Sequence, residues 1–341
     1  MSVDQLDVAK LGNYLAGHIE GFAGLQAAEK FPGGQSNPTF LLTADSAHYV
    51  LRRKPPGKLL KSAHAVDREF RVITALADSS VPVAKAYHLC EDDDVIGSMF
   101  YIMAYVDGRI FWDPALPDLD DADRTAIYDE MNRVLAELHS VDVEAVGLGD
   151  YGKPGNYFER QVSRWTRQYL AAETETIEPM DQLMRWLPEH MPADDGQVAL
   201  VHGDYRLDNM IFHPTEPRIL AIVDWELSTL GHPFADLAYQ CMQWRLPNTG
   251  ISRGLADIDR NAIGIPTEAE YVAAYCRRTG REGISDWTFF LAFSFFRLAA
   301  IVQGVFKRAL DGNASNTQAM QMGKMALPLA QAAIDLIDEA T

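Results

Sequence analysis

Apolar positions along the chain change rhythm near residue 106. Before that point they come as short runs separated by turns. "VAKLGNYLAGHI" spaces Val8, Leu11, Leu15 and Ile19 at helical intervals. "FPGGQSNPTFLL" reads as a Gly-rich turn entering a strand, and "HYVLRRK" as a second strand of the same hairpin. "SAHAVDREFRVITALAD" places Val66, Phe70, Ile73 and Ala77 on one helical face, and "VPVAKAYHLCED" and "MFYIMAYVDGR" supply two more strands. After Gly108 helical spacing dominates, in "DADRTAIYDEMNRVLAELHSVD", "NYFERQVSRWTRQYL" and "MDQLMRWLPEHM". Three short strands interrupt it, in "QVALVHGD", "NMIFH" and "RILAIVDWE", and from Pro233 on nearly everything reads as helix. The pattern predicts an α+β protein: a small antiparallel-sheet lobe over 1–106, a hinge at Val106 to Gly108, and a mainly helical lobe over 107–341.

Composition narrows the class. The chain has 341 residues, 48% hydrophobic and 23% charged, enough for two lobes with their own cores. No window of 18 residues is uninterruptedly apolar, so no membrane span is expected. "DWTFFLAFSFFRLAAIVQGVFKRAL" carries Arg297 and reads as a buried core helix. The acidic "MSVDQLDVAKLGNYL" lacks a signal pattern. Cys90, Cys241 and Cys276 are widely spaced, which points to a reducing cytoplasm rather than a zinc knuckle or disulfide frame. A net charge of -18 argues against nucleic acid as a partner. It would suit a cationic substrate, although solubility is the simpler reading.

The candidate chemistry lies in "VHGDYRLDNMIFH", where His202, Asp204, Arg206, Asp208 and Asn209 interrupt an apolar stretch. Burying such groups is costly unless they are paired or bound to something charged. The segment "MIFHPTEPRILAIV" reads as a hairpin that returns the chain from Asn209 to Asp224. An amide oxygen beside a carboxylate is a hard-oxygen pair suited to magnesium. Asp204 is then free to accept a hydroxyl proton, and Arg206 adds a fixed positive charge. Those are the parts that phosphoryl transfer requires, since it is mostly positioning and charge neutralisation.

"HGDYRLDN" followed by "VDWE" resembles the catalytic and metal loops of the protein-kinase-like fold, and most closely those of the aminoglycoside phosphotransferase family. The resemblance implies Asp204 as catalytic base, Arg206 near the transferred phosphate, and Asn209 and Asp224 as magnesium ligands. It also implies ATP as donor and a small-molecule hydroxyl as acceptor. In the first lobe "GGQSN" is similar to a phosphate loop, with Ser36 and Asn37 as contacts. Arg52 stands where protein kinases carry the Lys of V-A-I-K, and Glu69, 17 residues on, stands at its helix partner's place. "MAYV" resembles a kinase hinge, with Met103 beside the adenine and Ala104 C=O and Val106 N–H pairing its edge. Arg53 and Lys54 are alternatives to Arg52 if the register differs by one residue. "FFRLAAIVQGVFKRALDGNAS" and "YVLRRKPPGKLLKSAHAVDREF" resemble the family branch fused, in some members, to acyl-CoA dehydrogenases. That branch implies a hydroxyacyl-CoA or hydroxy acid acceptor, with Arg52, Arg53, Lys54, Lys58 and Lys61 available to nucleotide or CoA phosphates.

Competing readings are a nucleotide-binding pseudokinase, an aminoglycoside- or choline-type kinase, and a metal-dependent hydrolase using His202, Asp204, Asp224 and His232. Other polar residues have plainer expectations: His202 a structural hydrogen bond, His139 a helix cap, Asp236 either a dipole-offsetting acid or a loop brace, Asp208 a loop acid. Glu226 is not expected to bind metal. Trp112, Tyr157, Trp244 and Arg297 are candidates for an acceptor pocket.

Overall fold

The computed structural model describes residues 6–31, 37–55, 65–248, 253–312 and 319–340. Its elements run α1 (Val8–Ala16), β1 (Leu25–Lys30), β2 (Thr39–Ala44), β3 (His48–Arg53), α2 (Val66–Ala75), β4 (Ala86–Cys90), α3 (Asp93–Ile96) and β5 (Phe100–Ala104). Then follow α4 (Asp121–His139), α5 (Tyr157–Ala172), α6 (Glu178–Glu189), β6 (Ala199–Val201), β7 (Met210–Phe212), β8 (Ile219–Ile222) and β9 (Thr229–Gly231). The chain ends in α7 (Phe234–Cys241), α8 (Glu268–Arg278), α9 (Trp287–Leu310), α10 (Ala319–Gly323) and α11 (Ala326–Glu339). Contacts divide it into one unit of Met1–Arg109, Val146–Leu148 and Met210–Ser228, and another of Ile110–Ala145, Gly149–Asn209 and Thr229–Thr341.

The first unit is built on an antiparallel sheet of order β1-β2-β3-β5-β4. Its alternating inward residues, Phe40, Leu42, Tyr49, Leu51, Phe100 and Ile102, form a core with Leu11 and Leu15 of α1. The Asp7 side chain caps α1 by accepting from the Lys10 N–H at 2.9 Å. The sequence pattern did not foresee β1: "LQAAEK" has little period-2 contrast, and as an edge strand it needs little. The β7–β8 hairpin forms as expected, with Met210 opposite Ile222. Contacts group it with the first unit, although the change of texture lies at 106. The Arg109 N–H and C=O both bond Phe212 at 2.8 Å, and Ile222 N–H bonds Pro82 C=O at 2.9 Å. Gly108 permits this closeness, since a Cβ there would come 2.3 Å from the Phe212 carbonyl oxygen.

The second unit is helical apart from the β6–β9 pair. Its centre is α9, which packs on α5, α6, α7, α10 and α11. By length and composition α9 is apolar enough to cross a membrane, yet 78% of its most apolar window is buried inside the protein. That matches the core-helix reading. A reciprocal Thr267–Glu270 capping box starts α8.

Candidate functional site

In the first unit three acidic side chains meet around Arg52. β3 presents Arg52 and α2 presents Glu69, which is 1% exposed; Arg52 Nε lies 2.8 Å from Glu69 Oε2. The other arm of the fork, Nη2, donates to Asp224 Oδ1 at 2.6 Å and lies 3.5 Å from Glu226 Oε2. Tyr101 Oη donates to Glu69 Oε2 at 3.2 Å, and Asn37 Nδ2 donates to Oε1 at 2.8 Å. Burial would weaken the guanidinium's hold on its proton, but Glu69, Asp224, Tyr101 and Glu226 together raise it above its ordinary value. Burial pushes the Glu69 carboxyl up, against the pull of Arg52, Tyr101 and Asn37. Asp224 follows β8 with φ at 67°, a conformation that costs a non-glycine residue about 1 kcal/mol. A 3-10 turn over Trp225–Leu227 holds it there, Trp225 Nε1 donating to Ile222 O at 3.0 Å and Ser228 Oγ to Trp225 O at 2.6 Å.

The Arg52–Glu69 partnership thus stands as the 17-residue spacing suggested, and Asp224 joins it. Asn37 is present but uses its buried amide on Glu69, a contact the sequence did not suggest. Ser36, Lys58 and Lys61 lie outside the described residues. Arg53 is 4% exposed and Lys54 pairs with Asp67 at 3.6 Å. Met103 and Ala104 end β5, opposite Val50 and Tyr49, and Val106 follows in irregular backbone.

In the second unit β6 delivers the chain into His202–Arg206, and a 3-10 turn at Leu207–Asn209 closes the loop. The fully buried Asp236, in the first turn of α7, accepts from His202 N–H at 2.6 Å and Gly203 N–H at 2.8 Å. His139 Nε2 also faces it at 3.3 Å. Burial alone would raise Asp236, but the His139 hydrogen bond, the nearby His139 and His202, and the Gly203 N–H hold it below the usual carboxylate range. Gly203 has φ at 84°, a region L side chains rarely adopt, and turns the chain so that Asp204 follows. Asp204 N–H donates to His202 Nδ1 at 3.2 Å, and Tyr205 Oη reaches back to Met131 O on α4 at 2.7 Å.

Asn209 Nδ2 donates to both Asp204 O and Asp204 Oδ2 at 2.9 Å. Arg206 Nε lies 3.4 Å from Asp204 Oδ2, and its Nη2 lies 3.1 Å from Asp208 Oδ2. Enclosure pushes the Asp204 carboxyl up, but Arg206, the Tyr239 hydroxyl, His202 and Arg297 bring it below its ordinary range. Asp208 goes the other way, because burial outweighs Arg206. Chemically this is an ionised carboxylate in a fixed orientation beside a half-exposed cation. Asn209 directs its N–H groups at Asp204, which leaves its amide oxygen, a hard donor of the kind magnesium takes, as its acceptor. Among the described residues no group of three His, Cys, Asp or Glu could hold a metal. His232 instead faces Asp195 at 3.4 Å and stacks on Phe290.

Three expectations change. His139 is no cap: its ring lies between Asp236 and Tyr275 Oη, the latter at 2.7 Å from Nδ1. Trp244 is core, 3% exposed, with Nε1 on Pro266 O. Arg297 is buried and donates to Gly203 O at 2.5 Å. That bond was legible in part, since a lone Arg in an apolar helix must find a partner. Trp112 is 60% exposed beneath Arg253. A cavity of about 440 Å³ along α8, lined by Glu268, Cys276, Arg281 and Trp287 among others, contains none of the loop residues.

A model of the phosphotransferase enzyme family matches residues 27–289. A Ralstonia eutropha crystal structure classed with the aminoglycoside phosphotransferases is 54% identical, with a TM-score of 0.89, over 98% of this chain and 99% of that one. Spectinomycin phosphotransferase, solved with ADP and spectinomycin, shares the fold at 12% identity, with a TM-score of 0.65 over 97% of this chain and 98% of that one. Mouse (Mus musculus) acyl-CoA dehydrogenase family member 10 is 51% identical over 307 residues, 90% of this chain; the chain spans 29% of that relative's length.

Proposed function

The chain belongs to the phosphotransferase enzyme family and has its kinase-like α+β fold, and from that premise we propose that it moves the γ-phosphoryl group of ATP to a hydroxyl of a small molecule. The observation that carries this reading is the Asp204 loop: a carboxylate kept ionised by Arg206 and Tyr239, oriented by Asn209, on backbone fixed by Asp236. Asp204 takes the proton of the acceptor hydroxyl as its oxygen bonds to the γ-phosphorus and the bond to the β–γ bridging oxygen breaks, releasing ADP. Arg206 supplies positive charge to the transferred group. Arg52, held by Glu69, supplies it to the nucleotide phosphates, and Met103, Ala104 and Val106 receive the adenine. Asn209 and Asp224 would hold magnesium, which when bound neutralises charge on the phosphate oxygens.

For the acceptor we infer a hydroxyacyl-CoA or hydroxy acid. The support is the 51% identity to a relative named for acyl-CoA chemistry. In the loop, moreover, both acids are already paired with Arg206, where a polycationic aminoglycoside would want them free. The test is ADP release from Mg-ATP across hydroxyacyl-CoAs, hydroxy acids, aminoglycosides, choline and sugars, with Asp204→Asn in parallel. Release that depends on an acyl-CoA or hydroxy acid and is lost in the variant is expected. Release with aminoglycosides alone would overturn the acceptor, and undiminished release by Asp204→Asn would overturn the base.

A further inference from the structure

Two buried side chains on α7 and α9 converge on the loop that carries Asp204. Arg297, midway along α9, is 6% exposed and donates from Nη2 to the Gly203 carbonyl at 2.5 Å. Its guanidinium lies over two rings, 5.3 Å from the centre of Tyr239 and 5.7 Å from that of Trp165. Tyr239, on α7, is 7% exposed, and burial together with the nearby Asp204 carboxylate pushes its hydroxyl up.

These contacts are aimed. The peptide before Gly203 is fixed through its N–H by Asp236. The peptide after it, which leads into Asp204, is fixed through its C=O by Arg297. A cation buried in an apolar helix is costly, and a methionine or leucine would fill the same volume without that cost. Its charge is instead spent on the carbonyl one residue before Asp204 and on the Tyr239 ring.

We infer that Arg297 and Tyr239 are a positioning pair for Asp204. Arg297 sets the peptide that carries it and holds the Tyr239 ring. The inferred bond from the Tyr239 hydroxyl takes up one of the carboxylate's lone pairs, so those left for the acceptor point in a fixed direction. Neither is assigned a contact with the acceptor or the phosphate. The inference rests on the reading of Asp204 as base, and it extends the machinery to α9, a helix that supplies none of the residues assigned above.

The test compares Tyr239→Phe, which keeps the ring and loses the hydroxyl, with Arg297→Lys and Arg297→Met. The readouts are ADP release from Mg-ATP with water as acceptor, thermal midpoint, and amide hydrogen exchange at Gly203 to Tyr205. A hydrogen bond to a charged group is worth about ten- to a hundredfold, so Tyr239→Phe is expected to lose kcat by that factor. Its KM for ATP should stay within about twofold, the mark of an interaction outside nucleotide binding. Arg297→Met should fall further, speed exchange at Asp204, and be partly rescued by Arg297→Lys. Wild-type kcat in Tyr239→Phe and Arg297→Lys would overturn the pair, as would losses shared equally by kcat, KM and thermal midpoint. If Asp204→Asn releases ADP as fast as the wild type, the base reading fails; if the wild type releases none with water as acceptor, kcat is not read. Exchange then judges the clamp alone, and unchanged exchange in Arg297→Met overturns it too.

Discussion

Arg52 in the first unit and Asp236 in the second are both buried charges, and they are satisfied in different ways. Arg52 is surrounded by other side chains: Glu69, Asp224 and Glu226. Asp236 is satisfied mainly by backbone, the N–H groups of His202 and Gly203. Side-chain pairs can exchange partners when a phosphate or a cation arrives, because each member keeps its reach. Backbone pinned to a buried acid cannot move without breaking the loop. On the proposed function, the first arrangement suits a site that admits and releases a nucleotide, and the second suits a base whose direction must not change.

The largest effect is expected at the base itself. Asp204→Asn should lower kcat by about 10²- to 10⁴-fold with ATP binding retained, as measured by steady-state rates and nucleotide titration. Next comes the backbone-pinned side of the comparison. Asp236→Ala leaves two buried N–H groups without their acceptor and should cost about 3 kcal/mol, read from urea denaturation midpoints. A loss below about 1 kcal/mol would mean that the loop does not depend on it. Because the Asp236 carboxyl is held below its ordinary range, its contribution is complete above the unfolded value near pH 4. It drains away as pH falls toward the folded value. Thermal midpoints between about pH 5 and 3 should therefore fall less steeply in Asp236→Asn than in the wild type.

On the side-chain-paired side, Arg52→Lys removes the fork that reaches Glu69 and Asp224 together. It should raise the KM for ATP by about tenfold while changing stability by less than about 1 kcal/mol. A stability loss as large as that of Asp236→Ala would erase the distinction between the two regions. The smallest effect is expected at Trp112, 60% exposed, where Trp112→Ala should shift stability by no more than about 0.5 kcal/mol.

The same contrast explains what was legible in the sequence. Arg52, Glu69, Asp204, Asn209 and Asp224 could be singled out as candidates because their spacings resemble a known pattern and the β7–β8 hairpin has a clear turn. The antiparallel sheet and the helical remainder followed from period. β1 and β9 did not, one because it is a weakly patterned edge strand and the other because three residues carry no period. His139, Tyr239 and Arg297 were misjudged or passed over. Their partners lie 97, 35 and 94 residues away in sequence, and one partner is a backbone atom that leaves no trace in residue type. Asn37 sits in a recognisable motif, yet its amide is directed at Glu69.

That Asp204 drives phosphoryl transfer to a hydroxyl is tested most directly by phosphorus-31 NMR of Mg-ATP with a hydroxyacyl-CoA and the wild-type protein or Asp204→Asn. A phosphate monoester signal should grow with ADP in the wild type and be absent from the variant, which still binds ATP. Equal monoester in both would contradict the assignment of Asp204, and inorganic phosphate in place of monoester would contradict transfer to that acceptor.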